Sequence, residues 1–119
     1  MSFTKKQRYN IHRKHDGHCG YCGKLITLKE MQVDHMNPKS LRYIKGDFND
    51  HNHDSNLMPT CRRCNHYKRD ATVEQFRKIM SSLHERLQKI YIVKVGLDFG
   101  IIEIKAHDGT FYFERCNDQ

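Results

Sequence analysis

The chain has 119 residues, 37% of them hydrophobic and none of them tryptophan, with a formal net charge of +7 at pH 7. That length suits one domain rather than two ordinary ones, and its modest core calls for help from a cross-link or a metal. No apolar run nears the roughly 20 residues that span a bilayer, and the first residues lack the apolar centre of a secretory signal, so a soluble, cytoplasmic protein with no membrane partner is expected.

The first element is a basic, aromatic-containing helix over about residues 4–15, stopping near Asp16-Gly17. A tight turn follows at Cys19-Gly-Tyr-Cys22-Gly23, then short strands at Leu25–Leu28 and Met31–Val33. From Asn37 to Ser55 the composition turns polar and reads as a loop. Asn56–Thr60 is a short strand leading into Cys61, and a helix from about Arg63 or Cys64 runs to about Asp70. Beyond Thr72, the residues Val73, Phe76, Ile79, Met80, Leu83, Leu87 and Ile90 recur at helical spacing and form one apolar stripe. Thr72 and Gln75 have the spacing of a capping box for that long helix. Residues 90–95, 101–106 and 111–114 are β-branched and aromatic, and glycine-containing turns separate them. They predict a small C-terminal antiparallel β-sheet. The expected organisation is a domain over residues 1–90 with a β appendage over 91–119, packed on the same domain.

Charge is unevenly placed. Residues 1–70 carry 14 Lys/Arg against 7 Asp/Glu, while 71–119 carry 7 of each. A basic half attracts phosphates, so nucleic acid is the favoured partner.

Four of the five cysteines form two Cys-x-x-Cys pairs, Cys19/Cys22 and Cys61/Cys64, with 38 residues between them. In a reducing compartment such pairs bind metal more often than they form disulfides. Four soft thiolates suit a tetrahedral Zn²⁺, and a closed four-thiolate site leaves no open position for catalysis. The zinc is therefore expected to be structural. A redox reading would need a thioredoxin-like βαβ context, which is absent.

Inside and just after the loop closed by the two pairs lie Val33-Asp34-His35-Met36-Asn37-Pro38, Asn56-Leu57-Met58-Pro59 and Cys64-Asn65-His66-Tyr67-Lys68. With the first knuckle, this ordered set resembles the HNH endonuclease family over about residues 13–80. The resemblance implies an α+β protein with a ββα-metal (HNH) core, a four-cysteine structural zinc and a single catalytic ion. It implies that Asp34 and Asn65 ligate the ion and that His35 deprotonates the attacking water. Asn56 would hold the hairpin or orient the His35 ring. A carboxylate and an amide oxygen are hard donors, which favours Mg²⁺ or Mn²⁺; His66 is the alternative ligand if the helix frame moves by one residue. Arg62, Arg63, Lys68 and Arg69 around the helix start are expected to contact nucleic-acid phosphates. The stretch Asp50-His51-Asn52-His53-Asp54 spells the family's name, but it is expected to lie outside the catalytic frame and to meet substrate or solvent.

The expected function is a divalent-metal-dependent DNA endonuclease. The rivals are a non-catalytic zinc module that binds nucleic acid and an accessory nuclease in phage DNA packaging. A homodimer, or a phage or mobile-element protein partner, is compatible with nuclease activity.

Overall fold

The computed structural model describes residues 3–38 and 52–116; most of the expected polar loop, including Asp50 and His51, lies outside them. Two compact units are present: Met1–Val73 with Phe111–Gln119, and Glu74–Thr110. Residues 111–116 thus belong to the first unit, rather than to an appendage that takes in everything beyond residue 90.

The first unit begins with α1 (Lys5–Arg13), entered through a capping box in which Thr4 accepts from the Gln7 amide and Gln7 answers the Thr4 amide. Ile11 is its buried residue. Two of its basic neighbours serve the fold. Arg8 donates to the Leu28 and Met31 carbonyls at 2.8 Å each, and Lys14 donates to the Asp54 and Leu57 carbonyls at 2.7 Å each. The expected strand at 25–28 is reduced to one isolated bridge, His18 with Leu25.

β1 (Gln32–His35) pairs antiparallel with β2 (Leu57–Thr60), in the register Gln32–Thr60, Val33–Pro59, Asp34–Met58 and His35–Leu57. Pro59 is tolerated because this sheet has only two strands, so no further neighbour needs its missing N–H. All four β2 residues are buried. A one-turn 3-10 helix at Asp54–Asn56 leads into β2, so Asn56 ends that turn rather than starting the strand. Cys61 caps α2 (Arg62–Lys68) through its sulfur, which accepts from the Cys64 amide at 3.4 Å.

The second unit contains most of α3 (Val73–Leu87), with Phe76 buried, and α4 (Tyr91–Asp98), with no buried residue. The helix α5 (Tyr112–Cys116) closes the first unit. Its start lies on the first knuckle: Tyr112 and Phe113 donate to the Tyr21 and Gly20 carbonyls at 3.1 and 2.8 Å, and the Phe111 ring meets Tyr21 edge-on at 5.2 Å.

The C-terminal antiparallel sheet is therefore overturned. Residues 91–98 and 112–116 are helical, and the described residues hold no strand beyond β2. The run Ile90–Val95 is almost uniformly apolar and so carries no period to separate strand from helix. β-Branched residues cost a helix only tenths of a kcal/mol each, whereas strands need partners to form at all. No helix among the described residues is long and apolar enough to cross a membrane.

Candidate active site and metal centre

Cys19, Cys22, Cys61 and Cys64 converge, with all four sulfurs within 4.8 Å of one another and those of Cys22 and Cys61 at 3.9 Å. Sulfurs around a tetrahedral zinc at the usual bond length lie about 3.8 Å apart, so the cluster is compatible with a zinc site. Both knuckles turn backbone amides toward sulfur: Lys24 to Cys22 at 3.5 Å, and Cys64 to Cys61 at 3.4 Å. A hydrogen bond from Cys64 holds Cys19 far below the ordinary thiol range, and the same bond pushes Cys64 up. Cys116 is not part of it.

The cluster positions the first unit's hairpin as well as closing the loop. Gly20, in the first knuckle, donates to the Pro59 carbonyl at 2.8 Å. A Cβ at Gly20 would stand 2.1 Å from the Met58 sulfur, so any larger residue there requires the Met58 side chain to shift. The next residue, Tyr21, is 3% exposed and donates to Asp34 Oδ2 at 2.6 Å. Burial, then the Asp34 charge, pushes the Tyr21 phenol far up, so it remains a donor.

Helix α2 lies along the face of β1 that carries Gln32 and Asp34. Asn65 Nδ2 donates to Gln32 Oε1 at 2.7 Å, and three residues on, Lys68 Nζ lies 3.0 Å from Asp34 Oδ2. Asn65 and Asp34 therefore share one side of the hairpin. Lys68 also donates to the carbonyls of His35, at 3.2 Å, and Ala71. Its side chain is fully buried, which corrects the expectation that Lys68 contacts phosphate: its ammonium is enclosed by protein acceptors. Asp34 is 5% exposed. Burial raises its carboxyl above the usual range, opposed by the Tyr21 hydrogen bond and the Lys68 charge.

His35 ends β1 and is half-buried. Its Nε2 lies 2.7 Å from Asn52 Oδ1, and the Phe3 ring is 6.4 Å away, centroid to centroid. Asn52, in the stretch expected to stand apart, therefore contacts the residue that ends β1. His53 next to it accepts from the Ser55 amide and caps the 3-10 turn. Asn56 makes two side-chain hydrogen bonds to the Asn37 backbone, accepting at 2.8 Å and donating at 3.0 Å.

Arg62, Arg63, His66 and Arg69 reach the surface. The first three line an open cleft of about 720 Å³ together with Lys24, Glu30 and Gln32. Sequence reasoning gave no role to Tyr21, Gln32 or Lys24. A lone aromatic between two knuckle cysteines was the available signal for Tyr21, and Gln32, two residues before Asp34, shares its strand face.

The donors suit a hard divalent ion: a carboxylate at Asp34, and at Asn65 an amide whose nitrogen faces Gln32 so that its oxygen faces away. Asp34 and Lys68 cancel each other's charge, so an ion held there would draw added stabilisation from an arriving phosphate.

Residues 19–70 match the family described as HNH endonuclease, a span that encloses both knuckles, the hairpin and α2. No curated protein and no solved structure matches the chain. The family match and the geometry agree over one segment: residues 19–70 of this chain are similar to the HNH endonuclease family.

Proposed function

We propose that this protein hydrolyses phosphodiester bonds of DNA, with His35 as general base and Mg²⁺ or Mn²⁺ held by Asp34 and Asn65. The observation that carries the reading is the seating of α2 on the Gln32/Asp34 face of β1. That packing brings the Asn65 amide to the carboxylate's side of the hairpin, with His35 next along the strand.

His35 accepts a proton from water, whose oxygen then bonds to phosphorus while the bond to the 3′ oxygen breaks. The leaving oxygen takes a proton from solvent, giving 5′-phosphate and 3′-hydroxyl ends. A bound divalent ion supplies charge neutralisation on the phosphate and the leaving oxygen. Tyr21 and Lys68 hold Asp34 in place, and Asn56 fixes the chain just after His35. Arg62, Arg63 and Arg69 are exposed, which supports assigning them to flanking phosphates; in this reading the four cysteines hold a structural Zn²⁺.

The pairing of Asp34 with Lys68 favours a second reading, a zinc module that binds nucleic acid without cutting it, because the carboxylate's charge is already answered. Supercoiled plasmid incubated with Mg²⁺ or Mn²⁺, with and without chelator, separates the two. Wild type should nick or cut in a chelator-sensitive way, and His35→Ala should lose about 10²–10⁴-fold in rate. If wild type leaves DNA and RNA intact with every metal tried, the binding module replaces the nuclease.

A further inference from the structure

We propose that Asn52, expected from the sequence to lie outside the active site, is a positioning residue that fixes the ring orientation and proton placement of His35; this rests on the reading of His35 as the general base. An amide oxygen only accepts hydrogen bonds. With Asn52 Oδ1 at 2.7 Å from His35 Nε2, Nε2 carries the hydrogen and the lone pair is on Nδ1, the nitrogen that takes the proton from water. The partner of one ring nitrogen thereby decides the task of the other.

Both sides of the contact are tied down. On the His35 side, Met36 donates its amide to the Asn56 carbonyl at 2.9 Å, and the Asn56 side chain holds Asn37 in both directions. On the Asn52 side, the His53 ring accepts from the Ser55 amide at 3.2 Å, and its carbonyl accepts from the Asn56 amide at 2.8 Å. Lys14, just beyond α1, anchors the same turn at the Asp54 and Leu57 carbonyls. Asn56 thus pins the two chain segments together, and Asn52 uses that registration to reach the imidazole. The job of orienting the base falls to Asn52 and the job of fixing the backbone to Asn56.

The test compares the zinc-loaded full chain with Asn52→Ala, Asn52→Asp, His35→Ala and the His35→Ala/Asn52→Ala double variant. In ¹⁵N-histidine-labelled protein at a pH where the ring is neutral, wild type should show a His35 Nε2–H proton protected from solvent exchange, assigned by its loss in His35→Ala. Asn52→Ala should lose that protection, and Asn52→Asp, which keeps an acceptor oxygen, should restore it. On plasmid, Asn52→Ala should lower kcat about 10–100-fold, the usual effect of removing the orienting partner of a working histidine, with KM within about two-fold. The double variant should be no slower than His35→Ala alone, because Asn52 acts through that ring. An Nε2–H that exchanges freely in wild type overturns the proposal, as does an Asn52→Ala variant that cuts at the wild-type rate. A protected Nε2–H in a wild-type protein that cuts nothing upholds the contact and overturns the nuclease reading instead.

Discussion

At the scale of single residues, the buried pair of Asp34 and Lys68 bears first on stability. Breaking a buried ion pair by removing one partner leaves a charge without water or counter-ion and costs about 3–5 kcal/mol. Lys68→Met should therefore lower the melting temperature strongly, and Asp34→Asn/Lys68→Met should recover much of the loss; simple additivity in thermal melts would refute the pairing. The pH dependence follows from the carboxyl. Burial raises Asp34 in the folded state, so its contribution to stability is full below the unfolded value and is lost as pH rises through the folded one. Lys68→Met removes a cause that opposes this rise. The variant's deficit should accordingly shrink as pH falls from neutrality toward the carboxyl range, as melts across that range will read. Little of this was legible in the sequence. Lys68 stands among Arg62, Arg63 and Arg69, and composition treats all four as surface charge. The spacing Cys61, Cys64, Lys68 (i, i+3, i+7) was the signal that Lys68 shares the inner face of its helix.

At the scale of elements, what could be read was what local spacing encodes. The two knuckles, the Asp-His strand end and the helix that follows the second strand are short patterns whose meaning does not depend on distant partners. The C-terminal run failed for the opposite reason: Ile90–Val95 holds a single charged residue, Lys94, too few polar positions for the spacing within that run to decide between strand and helix. The contact of Asn52 with His35 joins residues 17 apart, a non-local pairing that no short pattern announces. The approach of the first knuckle to β2 is testable in the same terms. A methyl group at Gly20 meets the buried Met58 side chain, and overpacking of this kind costs about 1–3 kcal/mol. Gly20→Ala should lower the melting temperature and loosen the metal cluster, measured as faster zinc release to a chromogenic chelator. Unchanged release would mean that Met58 simply moves aside.

For the whole molecule, the net charge of +7 overstates what nucleic acid can meet. Arg8 and Lys14 are occupied by backbone carbonyls, and Lys68 is enclosed. Among the described residues the basic side chains thus divide between internal struts and an outward set, of which Lys24, Arg62 and Arg63 share one cleft. Each phosphate contact adds about one unit to the slope of log affinity against log salt. In the catalytically silenced His35→Ala background, Arg62→Ala/Arg63→Ala should weaken DNA binding by a similar factor across unrelated sequences and reduce that slope by about two. Lys68→Met should leave the slope unchanged, since its ammonium faces Asp34 and not solvent. Fluorescence anisotropy on labelled duplexes over a salt series reads both outcomes at once. An unchanged slope in the arginine variant would move the DNA-binding surface away from this cleft, and a lowered slope in Lys68→Met would put that ammonium back among the phosphate contacts.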